Sequence, residues 1–472
     1  LILIPFIAFV IKLVIIARIQ GFDWFTAGNE NIQSGLKVLV DQGKKPPNIW
    51  YGADAENYLS GLQALVRDGF ASNETGLHYW PAGYPLLMWP LIIFFKGNFF
   101  IALSTIQSLF YAISSAFFVN ELSQSRLKKF ALLIAFFLAL NPTLALNTIA
   151  IGYELPTVAS SLIAMGALIR NFRLSKAPIF TSELVIAGSA FALAAFMQPR
   201  LILIAISFFV IWGLAKYKNT SAVFFIVLSF FIVSIGPTTL VLRNVKANGF
   251  VAISTNLGTT MNIGAGFQAT GGYSNDAKGV SCTVPEGSPA QIDRHRVNCV
   301  IKWYLANPSY VPKLIWNKTL FFWSPWFGPA ANGTMARNPW RIHHPLAETI
   351  KTEIGYKKVY GTSGKLISWL WMSFSFAMMI YGFLLLWRSR NFERVLGLIA
   401  ISAVIVNWLS SVATIGDHRF RIPSMGMSLF LQVIGFVGIF LNKRQRFLGN
   451  PTPVDWPGLS WRARARRDNL TT

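Results

Sequence analysis

Residues Gly52–Leu87 read GADAENYLSGLQALVRDGFASNETGLHYWPAGYPLL and lie between two strongly apolar regions. Tyr58, Leu59, Leu62, Leu65 and Val66 fall at i, i+1, i+4, i+7 and i+8, the spacing of one helical face. Gly69 then stops the run as a C-terminal cap would. A helix with such a stripe is expected to lie flat on a membrane surface. That places Asp54 at its N-terminus, at the lip of the hydrocarbon. Two readings of Asp54 are open: an N-cap with Glu56 in the first turn, or a carboxylate placed for chemistry.

Working outward, 53% of the chain is hydrophobic and 13% charged, with mean hydropathy +0.46. Apolar windows of membrane-crossing length recur along most of it. The expected class is an all-α polytopic membrane protein. Spans are predicted at Ile2–Ile19, 98–120, 129–147, 152–171, 184–198, 201–216, 221–242, 366–388, 395–414 and 422–442. Residues 84–96 are too short to cross and read as a re-entrant half-helix. That gives about ten crossings, with short helices in the external loops. The expected organisation is an N-terminal membrane module, 1–242, whose catalytic loop is 20–83. A polar external region, 243–365, membrane helices over 366–442 and a basic tail, 443–472, follow. Ile32, Leu36 and Leu39 suggest a further interfacial helix ending at Gly43. Ile2–Ile19 lacks a small-residue cleavage site and reads as an uncleaved first span.

Sidedness follows from Lys and Arg in the short loops. Arg126, Lys128 and Lys129, then Arg170, Arg173 and Lys176, then Lys216 and Lys218, then Arg388, Arg390 and Arg394 mark the cytoplasmic ends. Both termini are then inside, and 20–83, 243–365 and the turns near Glu154, Arg200 and His418 are outside. The net charge of +23 does not imply nucleic acid, because much of the excess sits in loops and tails that meet anionic headgroups. The 243–365 region alone carries fourteen Lys and Arg against five acids, which suits membrane lipids or a lipid-phosphate substrate. Cys282 and Cys299 share that region; inside they would be free thiols, and the external placement makes a disulfide the expectation.

Ionisable residues gather at the external helix ends rather than mid-span, Lys12 excepted. That favours a site at the membrane surface over a path through it. His418, Arg419 and Arg421 in GDHRFRIP oppose the positive-inside bias, and could grip a lipid-linked phosphate. Arg200 in Gln198-Pro199-Arg200 is a second cation there, either a ligand contact or a snorkelling anchor. Tyr79, Trp80 and Tyr84 suit an aromatic belt or a sugar-stacking wall. Arg243, Asn256 and Asn262 head a polar run that could supply donors to a substrate or simply form turns. No metal-ligand spacing, P-loop, GxSxG or HExxH occurs, and there is no room for a soluble nucleotide-binding domain.

Together these features resemble the GT-C class of polytopic glycosyltransferases, in the bacterial branch related to protein O-mannosyltransferases and lipid A aminoarabinose transferases. The resemblance is carried by Asp54, Tyr58 and WPAGYP at 80–85, by LRN at 242–244 with VAISTN at 251–256, by WYLANP at 303–308 with Lys318, and by HRFRIP at 418–423. It departs at Ala82, where the group has Pro, and at Ala55, where a second acid is absent. The resemblance implies a GT-C-like helical bundle in a bacterial cytoplasmic membrane, active on the external or periplasmic face. The donor would be a polyprenyl-phosphate sugar, the acceptor a lipid, glycan or protein, with inversion by single displacement. Asp54 would be catalytic, with Arg200, His418, Arg419, Arg421 and Arg243 on the donor phosphate. Glu56, Tyr58, Tyr84, Glu154, Asn256 and Asn262 would contact substrate. No cofactor is required, and nothing in the sequence supports a divalent metal. A transporter or flippase of lipid-linked sugars, or a glycan polymerase or ligase of similar architecture, is the alternative.

The topology has a direct check. A cysteine substituted into 243–365 should react with an impermeant maleimide in intact cells; reaction only after permeabilisation would reverse the assignment.

Overall fold

The computed structural model describes residues 1–20, 55–96, 99–148, 151–174, 179–272, 279–324, 361–389 and 392–440. Asp54, the expected helix over 32–43 and the basic tail lie outside the described residues.

Helix α1, Leu3–Gln20, precedes α2, Ala55–Asp68, and the half-helix α3, Gly83–Phe95. Then come α4, Phe99–Ser123; α5, Lys128–Leu140; the short α6, Pro142–Asn147; α7, Glu154–Arg173; and α8, Ser182–Met197. Helices α9, Ile202–Lys216, and α10, Asn219–Asn248, close the N-terminal half. The polar region holds α11, Leu257–Ile263; α12, Pro289–Ala306; and α13, Val311–Trp323. Three long helices follow: α14, Thr362–Trp387; α15, Phe392–Ala413; and α16, Met425–Phe440. Among the described residues there is no strand. Among the described residues seven helices are long and apolar enough to cross a membrane, and the shorter apolar ones are Leu3–Val14, Gly83–Phe95 and Ser182–Met197.

Two of the short segments still run from one end of the bundle to the other. Helix α8 starts beside the end of α7, where Asn171 Nδ2 donates to Thr181 Oγ1 at 3.1 Å. It ends beside the start of α7, where Gln198 Nε2 donates to Tyr153 Oη at 2.9 Å. Its 16 residues cover roughly 24 Å. Helices α5 and α6 together run back along α4, since Tyr111 Oη donates to Leu138 O and Gln107 Nε2 to Thr148 O.

The polar groups sort to two ends accordingly. At one end Arg173 pairs with Glu121, Phe172 stacks on Phe392 at 4.0 Å, and Lys216 Nζ donates to Asn171 O at 2.6 Å. The loops that meet there are the basic ones. At the other end the turns near 84, 152, 198 and 420 come together, and the last turns of α10 around Arg243 meet the loop after α2.

Helix α3 does not cross. Tyr84 near its start and Ile92 near its end share one core with Phe99, Phe100, Ile151, Tyr153 and Met197. The half-helix reading of 84–96 therefore describes its path.

The α2 stripe corrects an expectation. Tyr58, Leu59, Leu62 and Leu65 are at most 3% exposed, covered by protein rather than turned to a membrane surface. The cause is α3, whose apolar side chains, with those of α4 and α8, give the stripe a dry protein partner. Gly69, at φ 76°, ends α2 with its N–H on Leu65 O at 2.9 Å.

Beyond the bundle, α11, α12 and the 279–288 segment form a small polar layer. Ser288 and Gln291 make a reciprocal capping box at the start of α12. Cys282 and Cys299 are joined, closing a loop with a sequence separation of 17. A loop of that size contributes about 3 kcal/mol in the chain-entropy account. Replacing both cysteines by Ala should lower stability by about that amount, and a non-reducing peptide map should recover 282 and 299 as one linked species. Two free thiols in that map would contradict the pairing.

Candidate functional site at one end of the bundle

The segment before α16 is a tight 3-10 helix, His418–Ser424. Asp417 starts it by accepting the Arg419 N–H at 2.9 Å, and lies 3.6 Å from both His418 Nδ1 and Arg419 Nε. Asn407 on α15 anchors it, donating to Phe420 O at 2.6 Å and Ser424 Oγ at 3.0 Å. The cations are thus fixed by backbone geometry.

Arg200, in the turn before α9, lies over the Phe420 ring at 4.1 Å, and Arg419 approaches the same ring at 5.1 Å. Glu154 and Asp417 attract the Arg200 guanidinium and Arg419 repels it. Arg200 Nε and Nη2 are buried and make no hydrogen bond among the described residues. A cation with unmet donors beside a second cation is a place for an anion.

Aromatic side chains build the adjoining wall. Tyr58 meets Tyr84 edge-on at 5.2 Å and Tyr153 at 6.4 Å. Tyr84 Oη donates to Gln107 Oε1 at 2.9 Å and accepts the Gly152 N–H at 3.0 Å, so its ring is held from both sides. Through Tyr153 and Gln198 this wall continues to Arg200. Asp54 precedes Tyr58 by four residues, which limits their Cα separation to roughly 14 Å. Glu56 lies on the first turn of α2.

The structure therefore gathers Arg200, Glu154, Tyr58, Tyr84, His418 and Arg419. It does not bring four other predicted residues, Arg243, Asn256, Asn262 and Arg421, to them. Arg243 is fully buried, and its guanidinium donates to the carbonyls of Phe70, Ser72 and Leu77 and to Asn244 Oδ1. It ties the end of α10 to the loop after α2, and α10 consequently runs on to Asn248 rather than ending near 242. Asn262 Oδ1 accepts the Val280 N–H at 2.6 Å, and Asn256 Oδ1 accepts from Ser254 Oγ at 3.2 Å. Both shape turns in the polar layer beyond the bundle. Arg421 points to the other side of Phe420, toward α13, α14 and α16.

Tyr153 and Gln107 were not predicted; their signal is a polar residue at a helix start and one within an apolar span, on the side where the other polar ends gather. Lys318, one of the residues that carry the resemblance, stands at the rim of this end. It is 2% exposed and its Nζ donates to Tyr304 Oη at 2.9 Å, which donates to Gly264 O at 3.2 Å. The backbone of Lys318 presses on Gly416, whose N–H meets Gly271 O at 2.8 Å. Lys318 thereby supports the turn that carries Asp417. Burial lowers the Lys318 pKa to about 8 and raises that of Tyr304 to about 12. Among the described residues no group of three His, Cys, Asp or Glu could hold a metal ion.

No protein-family model matches the sequence, and no curated protein does. Among solved structures the chain is similar to the archaeal oligosaccharyltransferase AglB from Archaeoglobus fulgidus, in complex with an inhibitory peptide and a dolichol-phosphate. The identity is 12% and the TM-score 0.43, over 98% of this chain and 54% of that one. This chain thus spans about half the length of that protein.

The Lys318 arrangement makes a pH prediction. Between pH 8 and 10.5 the unfolded lysine holds a proton that the folded one has released, so stability rises with pH through that window. Melting temperature should therefore climb from pH 8 toward 10.5, and Lys318→Met should flatten the climb. An equal pH slope in both proteins would show that Lys318 is not the titrating group.

Proposed function

We propose that this protein is a membrane glycosyltransferase that moves a sugar from a polyprenyl-phosphate donor to a hydroxyl-bearing acceptor at the external face. The observation that carries the reading is the pair Arg200 and Arg419 on either approach to Phe420, beside Glu154 and the Tyr58–Tyr84–Tyr153 wall. The membrane is that of a bacterial cell, with the site on its periplasmic side.

The chemistry follows from those groups. Asp54 takes the acceptor proton as the acceptor oxygen attacks the anomeric carbon. The bond from that carbon to the phosphate oxygen breaks, and the lipid phosphate leaves with the electron pair. Arg200, Arg419 and His418 receive the charge that develops on it. A phosphate is already a competent leaving group, so one displacement suffices and the anomeric centre inverts. Glu154 and Glu56 orient the acceptor, and the tyrosines stack on the sugar. No cofactor enters any step. Asp54 then returns its proton to water.

Arg243 has a different part here. By fastening the loop after α2 to the end of α10, it fixes the frame that α2 and its N-terminus belong to.

A positioned base contributes about 10²–10⁴-fold. Asp54→Asn should therefore lower transfer by that order in the purified protein, with an unchanged melting temperature. An N-cap role predicts near-normal transfer instead, because Asn caps a helix about as well as Asp. A transporter would keep moving its lipid-linked sugar with Asn at this position.

A further inference from the structure

The sequence places 311–323 in a polar region, but the packing of α13 does not. Leu314, Lys318 and Phe322 recur every four residues and are buried. Phe322 shares a core with Ile415 and Phe420. Pro312, Trp316 and Leu320 recur at the same interval on the opposite side, about 200° round the helix. All three are exposed, Trp316 by 62% and Leu320 by 40%, and Ile315 is exposed beside them. The charge on this side is Lys313, near the start of α13. Both neighbouring spans turn apolar side chains outward as well: Leu370 and Phe374 on α14, Ile405 and Leu409 on α15.

Two contacts measure how deep α13 reaches. Helices α14 and α15 meet at the basic end of the bundle, where Arg394 Nε donates to Trp387 O at 2.7 Å. Trp408 stands sixteen residues along α15 from Phe392, a rise of roughly 24 Å. Its Nε1 donates to Thr319 Oγ1 at 3.2 Å. Phe376 stands eleven residues along α14 from Trp387, a rise of roughly 16 Å. Its ring meets that of Trp323 at 5.1 Å. The two heights differ by roughly 8 Å, and the four residues from Thr319 to Trp323 rise roughly 6 Å. Helix α13 therefore runs alongside both spans, with Trp323 halfway down α14.

Arg388 and Arg394 mark one boundary of the hydrocarbon, which is about 30 Å thick. On that scale Leu320 lies at roughly 22 Å and Trp316 at roughly 28 Å, both within it. Lys313, and Lys365 on α14, each come to roughly 33 Å, just past the far boundary. Trp316 is level with the exposed Trp369 of α14, where tryptophans collect at a membrane edge.

We infer that α13 is a half-depth membrane helix whose Ile315, Trp316 and Leu320 face is covered by phospholipid acyl chains of the leaflet at the site end, with Lys313 among the headgroups. The inference rests on height and on continuity with the outer faces of α14 and α15, and does not depend on the reaction proposed above. Lys318, on the side away from that face, presses its backbone on Gly416. One helix therefore carries lipid on one side and the turn before Asp417 on the other. The maleimide reaction expected of 243–365 then belongs to its polar layer and not to this face.

The test uses the full chain in phosphatidylcholine nanodiscs, with one bimane fluorophore on Leu320→Cys, Trp316→Cys, Arg294→Cys or Leu370→Cys. Cys282 and Cys299 are joined and do not take the label. Arg294 is exposed on α12 and Leu370 on α14. Phosphatidylcholine carrying a doxyl group on its acyl chain should remove most of the fluorescence at 320, as at 370, and aqueous iodide should leave both bright. Position 294 should respond the other way round. A doxyl group near the headgroup should quench 316 more than 320, and one further down the chain should quench 320 more than 316. Ile315→Cys repeats the measurement on the same face should either substitution disturb the fold, which the melting temperature reports. Quenching of 320 and 315 by iodide would put this face in water, and quenching by neither agent would put protein over it. Either result would overturn the inference.

Discussion

A polar group without a partner in hydrocarbon costs several kcal/mol, and that constraint orders this structure. Mid-bilayer the helices meet through Ala, Gly, Leu and Phe, and the charged groups collect at the two ends. Where a charge is taken inside, the chain surrounds it. Arg243 faces backbone carbonyls, Lys318 faces a tyrosine hydroxyl, and Lys12 sits 4.8 Å from the Tyr111 ring. Arg200 and Arg421 each keep a buried donor atom without a hydrogen bond among the described residues. An anion beside either would complete those donors.

The same constraint explains why the site is rigid on one side. Tyr84, Gln107 and Gly152 hold one another, Gln198 holds Tyr153, and Asn407 holds the 3-10 segment. Each bond satisfies a buried polar group and, in doing so, fixes a side chain or turn at that end of the bundle. The groups left over for chemistry project from that frame. Lys318 extends the frame, joining the polar layer to the turn at Gly416.

Much of this was legible in the sequence. The α2 periodicity, its stop at Gly69, the half-helix at 83–95 and the ends of most spans follow from hydropathy, spacing and turn residues. What the periodicity of α2 could not reveal is the nature of the surface covering its stripe, because protein and lipid satisfy leucine equally well. The polar Arg243-Asn244 pair looks like the end of a span, yet α10 continues, since the arginine finds its carbonyl partners from another part of the chain. Arg419 and Arg421, two residues apart, look like one cluster. On a helix with three residues per turn they project to different sides, and the structure accordingly puts Phe420 and two separate surroundings between them. Asn256 and Asn262 show the opposite failure: amide side chains that suit a sugar suit a tight turn as well.

The central claim is a single displacement at the anomeric carbon of a lipid-phosphate sugar. The purified protein in nanodiscs, given an α- or β-linked polyprenyl-phosphate sugar of known configuration and its acceptor, yields a product whose anomeric proton coupling can be read by NMR. Inversion, with one free lipid phosphate released per sugar transferred, is the predicted result. Retention of configuration, or passage of the lipid-linked sugar across the bilayer with its phosphate bond intact, would contradict the account.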